Sequence, residues 1–207
     1  MFITFEGSEG CGKSSQVARL SGFLQQQGYD LLTTREPGGT PIGEQIRTVI
    51  SNLQNTEMQQ RTEILLFQAS RAQLVEQVIR PHLAKGGVVL SDRYADSTLA
   101  YQGFGYQRDL SPLRALIQFA TGGLKPDLTL LLDVEVEVGL KRRLHGGEWN
   151  RLDALQLDFY QRVRNGYFQL MQEEPERWVL IDAMQPFETV QQVIRQVVVE
   201  RLKARNP

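Results

Sequence analysis

Cysteine is almost missing from this chain: Cys11 is the single one in 207 residues. One thiol closes no internal disulfide, so a reducing cytoplasm is the expected compartment and the core must hold the fold unaided. Histidine is nearly as scarce, and His82 and His145 stand too far apart to give metal-ligand spacing. Long apolar runs are also lacking. A run such as "LTLLLDV" falls far short of the roughly 20 residues of a membrane span, and the chain starts directly on a strand-like segment, so a soluble, untargeted protein is expected. Neither sign of charge prevails, with 23 basic and 24 acidic residues and a net charge of −1. No overall field draws it to nucleic acid or an anionic membrane, and neither partner is expected; any basic chemistry must be local.

What is present is apolar substance in short pieces. At 41% apolar composition the chain can bury a sizeable core, and at roughly 150 residues per domain its length suits one domain spanning 1–207. Strand candidates are 2–6, 30–34, 87–91, 128–134 and 178–182, separated by segments long enough for crossover helices. The last helix presents Val190, Val193, Ile194, Val197, Val198 and Leu202 at helical spacing, a face that must lie on something apolar. Apolar strands spaced by helices predict an α/β fold, a parallel sheet flanked by helices on both faces.

Between the first strand and the first helix stands "GSEGCGKSS". Gly7, then four residues, then Gly12-Lys13-Ser14 satisfies the spacing of a phosphate-binding loop. Glycines let backbone N–H groups converge on phosphate oxygens, and the helix start adds unpaired donors and the positive end of its dipole. Lys13 is then the bridge to the β- and γ-phosphates of ATP or GTP, and Ser14 a Mg²⁺ ligand.

Two further stretches follow later strands, where open α/β sheets bind ligands. Asp92, which follows the third strand, suits the Mg²⁺ shell, and Arg93 suits a phosphate clamp; a surface ion pair at a loop start is the lesser alternative. On the helix "RTEILLFQASRAQLVEQVI", the stripe Ile64, Phe67, Arg71, Leu74, Val75, Val78 is interrupted by Arg71, a permanent charge that needs a partner from protein or ligand. Phe67 and Arg71, four residues apart, could stack on and hydrogen-bond a flat base; a core phenylalanine beside a structurally paired arginine fits the same spacing.

Taken together, "FEGSEGCGKSS", "TREPGGTPIGEQIR", "LLFQASR", "DRYADSTLAYQG", "PDLTLLLDV", "NRLD…DFYQRVRNGY" and "LIDAMQP" resemble the bacterial type of thymidylate (dTMP) kinase, a P-loop nucleoside monophosphate kinase. The resemblance implies transfer of the ATP γ-phosphoryl group to dTMP with Mg²⁺, in a five-stranded P-loop fold that forms a homodimer. It implies an ATP site at Gly7, Ser8, Glu9, Gly10, Cys11, Gly12, Lys13, Ser14 and Ser15, with Arg142 stacking on adenine. For dTMP it implies Phe67 stacking on thymine, Arg71 donating to a base oxygen, and Thr98 and Gln102 reading the remaining edge. Tyr101 would pack against the sugar C2′ and exclude a ribose hydroxyl, while Glu9 would take the 3′-hydroxyl. Arg35, Arg47 and Arg93, with Ser97 nearby, would surround the acceptor phosphate, and Glu36 would order metal and waters.

The departure from the family pattern is in the lid, at about 141–153. Relatives with glycine at the position of Gly10 lack a P-loop arginine and supply transition-state cations from the segment after the fourth strand. Here Lys141, Arg142 and Arg143 open that segment and Arg151 matches the arginine of "NRLD", but Leu144 and Gly146 stand where many relatives carry arginine. Arg151 is the expected clamp, with Arg143 second. Three other readings stay open: a kinase for another nucleotide or nucleoside, a P-loop switch or ATPase module, for which no N-K-x-D guanine signature exists, and a weakly active nucleotide-binding protein.

Overall fold

The computed structural model describes residues 1–145 and 156–205. Five strands form one sheet: β1 (Phe2–Glu6), β2 (Leu31–Arg35), β3 (Val88–Asp92), β4 (Leu128–Asp133) and β5 (Trp178–Asp182), in the order β2-β3-β1-β4-β5. Every pairing is parallel, as the near-continuous apolar runs require. The expected α/β architecture is therefore observed. Two strands sit one residue later than the apolar runs suggest. Arg35 pairs with Asp92 across β2 and β3, so each charged residue at a strand end is still held by the ladder.

Helices cover both faces. On one, Ile3 and Phe5 of β1, Leu90 of β3 and Leu130 and Leu132 of β4 pack against Val17, Leu20 and Leu24 of α1 (Lys13–Gln26) and Val190, Ile194, Val198 and Leu202 of α9 (Phe187–Arg205). Val193, expected on that buried face, is exposed, and the polar Gln191 is buried instead. The other face lies under α3 (Gln60–Leu74), α5 (Ala95–Thr98), α6 (Leu110–Thr121) and α8 (Leu157–Glu173), whose core includes Ile64, Leu99, Leu113, Tyr160 and Val163. The remaining helices are α2 (Pro41–Ser51), α4 (Arg80–Ala84) and α7 (Val136–His145). Two helices loosen into π-type turns, α3 through Val75–Ile79 and α5 through Leu99–Gly105. Such turns concentrate at functional sites, and the second carries Tyr101 and Gln102. Among the described residues no helix is long and apolar enough to cross a membrane.

Candidate active site

The carboxyl ends of β1, β3 and β2 converge, and their extensions line one cavity of about 480 Å³. At its floor is the loop between β1 and α1. Gly12 caps α1 with φ 89°, a left-handed conformation that suits glycine. Lys13 is buried and folded back over the loop: its Nζ donates to the carbonyls of Gly7 (3.0 Å) and Ser8 (2.9 Å) and lies 3.3 Å from Cys11 Sγ. The cationic head is thus parked on backbone acceptors beside the place where phosphates would sit. Gly7, Ser8 and Cys11 do not line the cavity; Cys11 packs instead into the core cluster of α1 and β1. Glu9, Gly10, Gly12, Lys13, Ser14 and Ser15 do line it.

Ser14 and Asp92, 78 residues apart, meet at the cavity wall, with Ser14 Oγ donating to Asp92 Oδ2 at 2.5 Å. A hydroxyl and a carboxylate are the hard oxygen ligands Mg²⁺ prefers. Among the described residues no group of three or more His, Cys, Asp or Glu could hold a metal by itself. This small set fits an ion that keeps its waters and is shared with substrate phosphates.

Arg93 follows Asp92 with φ 71°, left-handed backbone that a non-glycine residue rarely adopts without a compensating role. Its amide donates to Phe5 O at 3.0 Å, which ties the strained residue to β1. That turn aims the guanidinium inward, where it donates to Glu9 Oε1 (2.7 Å), Tyr101 OH (3.0 Å), Ser97 Oγ (3.1 Å) and Gly7 O (3.2 Å). It also lies 4.8 Å from the centroid of the Tyr101 ring. Burial alone would raise the Glu9 carboxyl, but the Arg93 and Lys13 charges, the Tyr101 hydroxyl and Arg143 outweigh it and hold Glu9 below the usual carboxylate range. Glu9 is an anion, not a proton reservoir.

Beneath this layer lies Glu6, which no sequence signal marked because a carboxylate closing an apolar strand reads as a strand end. It accepts from Tyr94 N (2.8 Å), Ser97 Oγ (2.6 Å) and Tyr167 OH (2.9 Å). Burial, then the Asp96 charge, push its carboxyl up to about 7 against the pull of those donors and Arg93. Glu6 and Tyr167 support Ser97 and Arg93 from behind. The short helix α5 is anchored in turn by Asp96, which takes two bonds of 2.8 Å from Arg177.

The far wall is built by α3 and the 95–105 segment. Arg71, 1% exposed, is fully engaged: Nε and Nη2 donate to Glu36 Oε2 (2.8 and 2.6 Å), Nη2 also to Tyr94 O (3.0 Å), and Nη1 to Gln68 Oε1 (2.9 Å) and Thr98 Oγ1 (3.0 Å). These bonds occupy all five N–H donors of the guanidinium. The structurally paired reading of the arginine is the one observed, with Glu36 as its protein partner, and the residue also lines the cavity. Burial raises the Glu36 carboxyl despite Arg71, and its Oε1 is sealed without a partner. The Glu36–Pro37 peptide bond is cis. Phe67, one turn before Arg71, presents a half-buried ring to the cavity. At the rim, Arg35 binds Glu44 (2.9 Å) and Arg47 donates to Pro37 O (3.0 Å), both beside Asp92 and Arg93.

The lid begins on α7. Arg142 and Arg143 line the cavity, and Arg142 is tied by a 3.0 Å bond to Ala183 O in the turn after β5. Gly10 has a local reason to be glycine. A β-carbon there would lie 1.9 Å from Gly139 O of α7, so the phosphate loop and the first turn of α7 touch backbone to backbone. Arg151 lies outside the described residues. Pro37 and Tyr94 also line the cavity and were not anticipated from sequence.

In sequence and in fold the chain is similar to proteins of one described family. A family model described as Thymidylate kinase matches residues 5–194. A thymidylate kinase of Roseiflexus castenholzii is 52% identical over 96% of this chain and 92% of its own length. One from Thermomicrobium roseum is 51% identical, covering 98% and 96%. Among solved structures, thymidylate kinase from Ehrlichia chaffeensis superposes with a TM-score of 0.80 at 29% identity, over 96% of this chain and 98% of that one.

Proposed function

The chain belongs to the thymidylate kinase family, and from that premise we infer that it phosphorylates dTMP to dTDP in the cavity at the carboxyl edge of the sheet. The observation that carries this reading is the continuity of the cavity, which joins the Lys13 loop to the Phe67–Arg71 wall with Arg35, Arg47 and Arg93 between them. A donor phosphate chain at one end and a nucleoside monophosphate at the other meet where those arginines stand.

ATP is the proposed donor, its phosphates on the loop from Gly7 to Ser15. Lys13 exchanges its backbone carbonyl partners for the β- and γ-phosphates. Ser14 and Asp92 are the proposed Mg²⁺ holders, and the ion when bound would neutralise phosphate charge. Thymine stacks on Phe67. Arg71 donates to a base oxygen by releasing one bond of Nη1, and Thr98 and Gln102 read the rest of the edge. Tyr101 fills the space beside C2′ and Glu9 accepts the 3′-hydroxyl. Arg93, Arg35 and Arg47 surround the acceptor phosphate.

The attacking oxygen needs no general base. A phosphate monoester with a second pKa of about 6 is already largely dianionic near neutral pH. The protein's task is to align two anionic groups and neutralise them, which accounts for the density of arginines. The carboxylate of Glu9 is tolerable there only because Arg93 and Lys13 share its field. The remaining cations are proposed to come from the lid, about 141–153, with Arg151 as the clamp, Arg143 beside it and Arg142 against adenine. A single domain, a homodimer and a cytoplasmic location complete the proposal.

The test is ADP release from ATP and Mg²⁺ with and without dTMP. Release that requires dTMP supports the reading. Equal release without an acceptor would make the chain an ATPase module, and release only with another nucleotide would reassign the acceptor.

A further inference from the structure

On α3, Glu63, Phe67 and Arg71 are spaced four residues apart and share one face. Opposite them, Thr98 and Gln102 are also four apart and run in the reverse sense. Two rungs join the pair: Arg71 Nη1 to Thr98 Oγ1 at 3.0 Å, and Gln102 Nε2 to Glu63 Oε1 at 2.8 Å. The ring of Phe67 belongs to the turn between the rungs. Glu63 is buried, 1% exposed, and its second oxygen is 3.5 Å from Tyr106 OH.

A carboxylate oxygen accepts and does not donate, so this rung fixes which end of the Gln102 amide faces Glu63. The N–H₂ end must turn to the carboxylate, and the carbonyl end is left for the cavity. Gln102 Oε1 has no hydrogen-bond partner among the described residues, and it is not one of the sealed unpartnered atoms, so it opens on the cavity that Gln102 lines.

We propose that Glu63 is a specificity-determining positioning residue: by holding the Gln102 amide with its oxygen toward the base, it makes the site select pyrimidines with N3–H over those with a bare N3. This rests on the dTMP kinase reading above. Thymine and uracil carry a donor at N3 and an acceptor at O4. Cytosine inverts both, so its ring nitrogen would face the Gln102 carbonyl and its amino group the Arg71 guanidinium. Each mismatch leaves a desolvated polar group unpaired, and specificity built on such penalties exceeds what apolar fit achieves. Glu63 touches no substrate and acts through Gln102.

The experiment measures kcat/KM for dTMP, dUMP and dCMP in the parent and in Glu63→Gln, whose side-chain amide permits Gln102 to adopt either orientation. The preference for dTMP over dCMP should fall roughly tenfold, mainly through KM. The preference for dTMP over dUMP, which share the same edge, should not change. In a Gln102→Ala background Glu63→Gln should have no further effect on the dCMP ratio. Should Glu63→Gln fail to fold, Glu63→Asp withdraws the accepting oxygen with its charge kept and is read by the same ratios. An unchanged dTMP/dCMP ratio in a folded variant, an equal loss of the dUMP ratio, or additivity with Gln102→Ala overturns the proposal. A parent that releases no ADP in response to dTMP instead refutes the underlying kinase reading.

Discussion

The two ends of the cavity are built differently. At the acceptor end, Arg71 is 1% exposed, all its donors are placed, and the side chains around it hold one another through Glu36, Gln68, Thr98 and Tyr94. At the rim and the donor end the cations are looser: the Arg35 side chain is 53% exposed and Arg143 half-buried. Lys13 is bound to groups of its own loop, the Gly7 and Ser8 carbonyls and Cys11 Sγ. The difference teaches that base selectivity is stored when the chain folds, whereas phosphate neutralisation is assembled when substrates arrive. A buried network in which every Arg71 donor is placed holds the base wall in one backbone arrangement, while Lys13, bound within its own loop, can exchange those partners for phosphate.

The largest expected effect is at the assembled end. Lys13→Met should abolish turnover with every acceptor while leaving dTMP affinity within a few-fold, because the donor cation is lost and the base wall is untouched. Turnover near the parental rate, measured by coupled ADP release, would break the donor-end assignment. Next is the lid. Arg151→Ala should lower kcat by about 10³-fold with little change in dTMP KM, as expected for a contact made in the transition state. Arg151→Lys should recover only part of this, since an ammonium lacks the planar fork. A larger kcat loss in Arg143→Ala would move the clamp onto α7. Near-parental rates in both single variants and the double variant would remove the lid from the chemistry.

Smaller in rate but larger in stability is the effect at the stored end. Arg71→Ala leaves Glu36 buried without its charge partner and should cost about 3 kcal/mol, a fall of roughly 10 °C in Tm. Lys13→Met, at the first residue of α1, strips no buried carboxylate of its only charge partner and should shift Tm far less. Similar Tm values for the two variants, by calorimetry, would erase the contrast between the ends.

How much of this was legible in the sequence follows the same division. The phosphate loop announces itself by spacing, and Phe67, Arg71, Thr98 and Gln102 by helical periodicity and resemblance. Nearly all of them line the one cavity. The supports beneath were not legible. Glu6 and Glu63 are carboxylates that a sequence reading assigns to strand ends and exposed helix faces, and only tertiary packing makes them buried acceptors for Ser97 and Gln102. In hindsight Glu63 had a signal, its four-residue spacing from Phe67. The one-residue displacement of β2 and β3 has the same origin: Arg35 and Asp92 looked like loop residues by polarity, yet the ladder needs them in register to aim them. Glycine at position 10 read as a missing arginine. Its structural reason, contact with Gly139, is invisible without the fold.

The most direct test of a stored acceptor end and an assembled donor end is a crystal structure of the chain with dTMP and a non-hydrolysable ATP analogue. The account predicts that the backbone of 60–74 and 95–105 stays within about 1 Å of its present position, with the Glu63–Gln102 rung intact, while Lys13 Nζ leaves the Gly7 and Ser8 carbonyls for phosphate. A displacement of these two segments beyond about 2 Å, with Lys13 still seated on its loop, would contradict it.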